Sequence, residues 1–274
     1  MSYAKIWRQA SAVTNNLGQS KMDYASLARQ LIRPVEEAGQ VIMDIYRRRP
    51  TIDIKADGSP VTEADKAAEA ILLPAIAAAA PSIQIVSEEN PMSHESAAGD
   101  KFFLVDPLDG TKEFIKTDAN GAFTVNIGFI EGGVPVMGVV YAPALGRLFF
   151  GSADAGAFEI SSGNCRPIEV RKPDPAAIVA VASASHRDAA TNRWLEDRGI
   201  KQTVSIGSSL KFCLVAAGEA DVYPRYGPTM EWDTAAGDAV LRAAGGTVVA
   251  DDGTPFCYGK SGYRNDAFFA FGGG

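Results

Sequence analysis

The chain has 274 residues, 46% of them hydrophobic and 22% charged, a globular composition long enough to bury a core without disulfides or structural metal. Its 26 basic and 33 acidic residues leave a net charge of −7, which speaks against a surface built for a nucleic-acid backbone. An anionic small molecule at a local cationic centre stays compatible with that sum. Two histidines make a His-rich zinc site an unfavourable reading. The three cysteines, Cys165, Cys213 and Cys257, are scattered without a C-x-x-C pair, so neither a disulfide framework nor a thiolate metal site is expected. Cys213 sits in an apolar run over 210–217 and reads as a buried thiol.

Residues 1–22 show weak periodicity and read as an N-terminal extension outside the folded pattern, with Met22 as an alternative start. They hold no secretory-type apolar stretch, and no run in the chain approaches the roughly 20 residues of a membrane-spanning helix. The cytoplasm is the default location, with peripheral attachment to the inner membrane face as the alternative. From Tyr24 onward, Leu27, Leu31, Val35, Ala38, Ile42 and Ile45 recur at helical steps, with Pro34 a candidate kink and Arg47, Arg48 and Arg49 complementing the negative helix end. Thr62 opens a second helix through a Thr-x-x-Asp capping pattern, and Ala64, Ala67, Ala68, Ile71, Leu72 and Ile76 form its apolar face. Short buried strands over 83–86 and 102–105 each run directly into carboxylates. Alternation over 123–130, then strands over 134–141 and 148–151, predict a meander and a largely antiparallel first sheet.

The pattern changes beyond about residue 160. Strands are expected over 178–183, 203–206, 221–223, 247–250 and 267–271, and helices over 189–198, 208–217 and 233–244, the last closed by Gly245 and Gly246. The expected organisation is an N-terminal α+β lobe over 23–155 and a C-terminal α/β lobe over 156–274, closely packed.

Chemistry concentrates in four places. Asp106-Pro107-Leu108-Asp109-Gly110-Thr111 follows a strand, and Pro107 favours a tight bend that can bring two carboxylates and the Leu108 carbonyl into one shell. Two close carboxylates repel unless a cation or proton lies between them, and hard oxygen donors suit Mg²⁺. The same residues also serve as plain Asx-turn formers. Glu88 follows an apolar strand, a usual ligand position in α/β proteins, whereas Glu89 reads as solvent-facing. Asp65 reads either as a site acid or as a first-turn helix acid, and Asp233 either as a ligand or as a helix cap. There is no G-x-S-x-G elbow and no P-loop.

Taken together, Asp57-Gly-Ser-Pro-Val-Thr-Glu-Ala-Asp65, Ser87-Glu-Glu-Asn90, Asp106-Pro-Leu-Asp-Gly-Thr111 and Trp232-Asp-Thr-Ala-Ala-Gly237 resemble, in order and spacing, the inositol monophosphatase superfamily of metal-dependent, lithium-sensitive phosphatases. The resemblance spans about residues 24–270. It implies a layered α-β-α-β-α sandwich of the sugar-phosphatase type. Within that superfamily, Gly110-Thr-Lys-Glu-Phe114, Gly207-Ser-Ser-Leu-Lys-Phe-Cys213 and Val222-Tyr-Pro-Arg225 are most similar to the CysQ-type 3′(2′),5′-bisphosphate nucleotidases. Inositol monophosphatases usually carry Asn where this chain has Glu113.

The resemblance implies that Glu88, Asp106, Asp109, Asp233 and the Leu108 carbonyl hold two or three Mg²⁺. It implies that Asp65 and Thr111 orient and deprotonate a water, and that the Gly110 and Thr111 amides hold the scissile phosphate. It assigns nucleotide contacts to His186, Ser208, Lys211 and Arg225, in addition to Glu88, Leu108, Asp109 and Asp233 beside the phosphate. His186 also reads as an ordinary loop histidine, and Lys211 as a solvent-facing helix lysine. The implied partner is a small nucleotide bisphosphate rather than a nucleic-acid polymer, and monomer and homodimer both stay open.

Overall fold

A computed structural model describes residues 22–48, 52–54, 60–115, 121–183 and 187–273. The expected N-terminal extension, apart from Met22, lies outside the described residues, and so does His186. Helix α1 (Tyr24–Arg47) starts where Asp23 accepts the Ser26 amide at 2.7 Å, and it continues through Pro34 as one helix. The apolar positions recurring along it are its buried face. A short antiparallel hairpin, β1 (Ile52–Ile54) and β2 (Pro60–Thr62), leads into α2 (Glu63–Ala79). Thr62 caps α2 and Asp65 closes the capping box, as the Thr-x-x-Asp spacing predicts.

Seven strands then form the first sheet: β3 (Gln84–Ser87), β4 (Lys101–Asp109), β5 (Thr124–Glu131), β6 (Val134–Ala142), β7 (Arg147–Ser152), β8 (Gly156–Ser161) and β9 (Asn164–Ile168). They lie side by side in chain order, with α3 (Thr111–Ile115) inserted after β4. Only β3 and β4 pair in parallel, so the expected largely antiparallel sheet is present. The sheet is longer than expected. β8 and β9 extend it to Ile168, past the lobe boundary placed at 155. Glycine turns and half-exposed residues at this edge dilute the apolar pattern: Asn164, Arg166 and Pro167 of β9 are exposed.

The second sheet is built from β10 (Val179–Ser183), β11 (Gln202–Ile206), β12 (Val222–Arg225), β14 (Thr247–Ala250) and β16 (Phe268–Phe271), in the order β11-β10-β12-β16-β14. A two-residue pair, β13 (Thr229–Met230) and β15 (Arg264–Asn265), stands apart. Helices α4 (Ala189–Asp197), α5 (Leu210–Ala216) and α6 (Ala235–Ala243) accompany these strands. One apolar core joins α1 and α2 to one face of the first sheet. Another joins the opposite face to α5, α6 and the second sheet. A third places Trp194 and Leu195 of α4 against Val222 and Phe269 on the far side of the second sheet. The result is the expected five-layer α-β-α-β-α sandwich.

Helix α6 lies almost on the backbone of the first sheet. A Cβ on Gly138 would stand 2.2 Å from the Ala236 carbonyl oxygen, so only glycine admits this approach. The approach matters because α6 follows directly on Asp233. The expected helix start at Asp233 is corrected here. Asp233 ends a 3₁₀ turn over Glu231–Asp233, Thr234 occupies the cap position, and α6 starts at Ala235. The Asp233 carboxylate instead accepts the Met230 amide at 2.8 Å, closing that turn backward. Likewise α5 starts at Leu210 rather than at Ser208, whose φ of 55° is incompatible with the helix.

Candidate metal centre and phosphate cleft

The site lies where the ends of β3 and β4 meet the turn before α6. Glu88 extends β3 by one residue, its amide donating to the Val105 carbonyl of β4 at 3.0 Å. Asp106 lies within β4 itself, where its neighbour across the antiparallel ladder is Asn126. The ladder is irregular between Asp106 and Asp109, and the strand there carries Pro107. Carboxylate oxygens of Glu88, Asp106 and Asp233 all lie within 4.8 Å of one another. Three carboxylates at that spacing repel strongly in a partly buried place unless cations or protons intervene.

The surroundings of Asp106 fit a cation. Its Oδ1 accepts the Leu108 amide at 3.0 Å. Its Oδ2 is buried without a hydrogen-bond partner among the described residues. A buried carboxylate oxygen left open costs free energy that a hard cation offsets. Burial raises the proton affinity of Asp106 well above the ordinary carboxylate range, and Glu88, Asp109, Asp233 and Asp65 raise it further. Asp233 is raised by burial, Asp109 and Glu88, against the stabilising Met230 amide and Arg225. Asp109 is pushed up to about 6, chiefly by burial; Lys211 and the Ser209 amide oppose the shift. The oxygen-only donor set suits Mg²⁺ or a similar hard ion.

Beside these acids lies the pair expected to handle water. Asp65 is 1% exposed. Its Oδ2 accepts both the amide and the hydroxyl of Thr62, each at 2.7 Å, so the capping box and the site share one carboxylate. Its Oδ1 faces Thr111, whose hydroxyl reaches it at 3.4 Å and the Leu108 carbonyl at 3.2 Å. Burial raises Asp65 as well. Asp65 therefore closes the capping box of α2 through one oxygen and faces Thr111 with the other. Gly110 turns the chain between Asp109 and α3 at a φ of 90°. A Cβ there would come within 3.1 Å of the Ala122 carbonyl oxygen.

A cleft of about 290 Å³ extends from the acids to the second sheet. Its far wall carries Ser208, Lys211, Tyr223 and Arg225. Lys211 is not the solvent-facing lysine that its helix position allows. It is 5% exposed, lies over the Tyr223 ring at 5.3 Å, and donates to the Ser208 carbonyl. Burial brings its proton affinity down to about 8, with Asp109 holding it up. Arg225 is braced by the carbonyls of Gly227 at 2.9 Å and Pro228 at 3.2 Å. Negative and positive walls thus face each other across one opening. Glu89 does not line the cleft, and neither does Asp65, which stands behind Thr111. Cys213 is fully buried, as its apolar run predicts.

Two features of the site are placed by the structure rather than by the sequence. The Ser209 amide donates to Asp109 Oδ2, and its hydroxyl bonds Asn126 Oδ1 and lies 2.9 Å from the Thr124 hydroxyl. This buried network ties the start of α5 to β5, and so ties the lysine wall to the acid wall. Glu113 also lines the cleft and is buried at 8% exposure. Its side chain packs where a Cβ on Gly207 would fall, 2.9 Å from its Cγ. The Glu at this position was visible in the sequence, but its place in the cleft was not.

A layered sandwich whose carboxylate cluster joins β4, the end of β3 and the turn before α6 is the arrangement a metal-dependent phosphatase requires, and similarity to known proteins gives that class. The profile of the inositol monophosphatase family matches residues 14–267. The chain is 45% identical over 232 residues to the 3′(2′),5′-bisphosphate nucleotidase CysQ of Escherichia coli strain K12, covering 84% of this chain and 92% of that one. It is 33% identical over 239 residues to the CysQ of Aggregatibacter actinomycetemcomitans, covering 85% and 88%. Among solved structures it resembles CysQ of Bacteroides thetaiotaomicron, with a TM-score of 0.77, 37% identity, and 92% and 99% of the two chains covered. It also resembles an inositol monophosphatase from Anabaena, with a TM-score of 0.73, 28% identity and 92% of each chain covered. The chain belongs to the inositol monophosphatase family. Among the described residues no helix is long and apolar enough to cross a membrane.

Proposed function

We propose that the chain is a Mg²⁺-dependent 3′(2′),5′-bisphosphate nucleotidase that removes the 3′-phosphate of adenosine 3′,5′-bisphosphate, giving AMP and phosphate. The observation that carries this reading is the two-walled cleft. One wall has three carboxylates at metal-binding spacing, and the other presents Lys211 and Arg225 to a second anionic group. A substrate with one phosphate to cleave and one to hold matches both walls. The similarity to nucleotidases over most of the chain supports the same choice.

Glu88, Asp106, Asp109, Asp233 and the Leu108 carbonyl are the proposed Mg²⁺ ligands. Bound there, two or three Mg²⁺ neutralise phosphate charge and acidify water, the large electrostatic contribution that phosphomonoester hydrolysis needs. The chain's own groups do the rest. The Thr111 hydroxyl, between Leu108 O and Asp65 Oδ1, orients the attacking water. Asp65 accepts the water's proton, and its burial makes it a stronger base than an exposed carboxylate. The amides of Gly110 and Thr111 receive the scissile phosphate, with Gly110 admitting the close backbone approach. Ser208, Lys211 and Arg225 fix the nucleotide so that the 3′-phosphorus faces the water, which dominates the rate of a loosely bonded in-line transfer. His186 is proposed as a further nucleotide contact.

Phosphate release from adenosine 3′,5′-bisphosphate and from inositol 1-phosphate, each with purified protein and Mg²⁺, tests the reading. Preferred turnover of the bisphosphate is expected. Better turnover of inositol 1-phosphate would move the chain to another branch of the family. Metal binding without turnover of either would make it a non-catalytic binding protein.

A further inference from the structure

His94 is one of only two histidines in the chain, and it lies in a 3₁₀ turn (Pro91–His94) just after the Glu88 segment. Its Nε2 lies 2.7 Å from the Ser87 carbonyl oxygen. A carbonyl oxygen only accepts, so Nε2 carries the proton and donates. The same ring stacks on Trp232, with centroids 4.6 Å apart and planes 22° from parallel. Ser87 immediately precedes Glu88, and Trp232 immediately precedes Asp233. One side chain therefore touches the backbone behind one site carboxylate and the ring behind another.

The placement answers a mechanical need. β3 is an edge strand of the first sheet, paired with β4 alone. Glu88 stands one residue beyond it, and Asp233 arrives on a short turn from the second half of the chain. Their carboxylates lie within 4.8 Å of each other and repel. A contact that joins the edge strand to the turn opposes that repulsion. Ser93 ties the same segment internally, its hydroxyl donating to the Asn90 carbonyl at 2.6 Å and accepting the Ser87 amide at 3.1 Å. Tyr263 fastens its far end, donating to the Ser96 carbonyl at 2.9 Å. His94, in the same segment, reaches both ligand-bearing elements.

We propose that His94 is a positioning residue that sets the spacing of Glu88 and Asp233, and with it the affinity of the site for divalent cations. The inference rests on the metal-site reading above. Groups hydrogen-bonded directly to metal ligands commonly govern affinity by about 10- to 100-fold, and His94, acting through the residues before Glu88 and Asp233, is expected at the lower end of that range.

The test is direct Mn²⁺ binding by electron paramagnetic resonance on the full chain, with Mg²⁺ activation curves alongside. His94→Ala is expected to weaken Mn²⁺ binding roughly tenfold, in line with such supporting residues. It is also expected to shift the Mg²⁺ activation curve to higher concentration by a similar factor while kcat at saturating Mg²⁺ returns to near the wild-type value. His94→Gln, which keeps a donor, and His94→Phe, which keeps the stack, should each restore part of the affinity. Met92→Ala, on the exposed side of the same turn, should bind like wild type. If His94→Ala fails to fold, the Gln and Phe variants decide by the same measurement. Wild-type-like Mn²⁺ affinity in folded His94 variants overturns the inference, and so does a kcat loss that saturating Mg²⁺ does not recover. Absence of Mn²⁺ binding by the wild-type chain instead overturns the metal-site reading itself.

Discussion

Asp106 is buried at 1% exposure with one carboxylate oxygen left open and four other acids raising its proton affinity. In the metal-free chain that charge is a liability. Under the proposed function it is a metal ligand. Replacing Asp106 by Asn keeps an oxygen for the Leu108 amide and deletes the charge. Asp106→Asn should therefore raise metal-free stability by on the order of 1 kcal/mol, a few °C in Tm, because the remaining acids lose a repelling neighbour. The same variant should lose phosphate release to background and lose the stabilisation that Mg²⁺ gives the wild type. Thermal unfolding with and without Mg²⁺ beside a phosphate assay measures all three. A lower metal-free Tm, or activity above a tenth of wild type, would contradict the role given to Asp106. At this scale the acids were legible because turn and strand-end chemistry marks them. Ser209, Asn126 and Thr124 were not, since a small polar residue in a strand or helix looks ordinary until a partner 83 residues away closes the network.

The elements that position those side chains depend on close backbone contact as much as on apolar periodicity. α6 is held on β5 and β6 by small residues on both sides. Gly138 faces the Ala236 carbonyl, and Gly128 faces Ala235. A methyl group on Gly138 would collide with backbone, which cannot move aside as a flexible side chain can. Gly138→Ala should cost about 1–3 kcal/mol, as overpacking typically does, and lower Tm accordingly. Because α6 starts two residues after Asp233, the displacement should also raise the Mg²⁺ concentration needed for half-maximal activity. A Tm within 1 °C of wild type would show that α6 has room to move away from β6 without cost. The α6 pattern itself was readable, and so was its Gly245–Gly246 stop. Its starting residue was not, because an acid before Thr-Ala-Ala reads equally as a cap, and only the Met230 amide shows where the Asp233 carboxylate turns. β8 and β9 escaped for a different reason. β8 is short and carries a buried Glu159 between Phe158 and Ile160, and β9, the edge strand, is exposed along Asn164, Arg166 and Pro167, so neither presents an apolar run.

Across the whole molecule, the net charge of −7 is unevenly distributed, with part of it compressed into one cleft. The sign of the resulting pH dependence follows from the raised proton affinities. Asp109 at about 6, with Asp106, Asp233 and Asp65 also raised, binds protons more tightly in the folded chain than in the unfolded one. Between the unfolded carboxylate range near pH 4 and the folded values, the native state holds more protons, so stability falls as pH rises. Asp221 works in the opposite direction. Its bidentate pairing with Arg171 lowers its proton affinity, so its contribution is present above about pH 4 and is lost only in stronger acid. The two effects occupy different windows. Metal-free protein should therefore lose Tm steadily from about pH 4.5 to pH 7. Saturating Mg²⁺ at pH 7 should restore it, because an ion that binds only the folded state adds stability by mass action and removes the repulsion that caused the loss. Thermal unfolding across that range in chelator, and then in Mg²⁺, measures both slopes. A metal-free Tm that rises toward pH 7 would mean the site acids are compensated by protein groups alone, and the case for a cation-dependent cleft would fail with it.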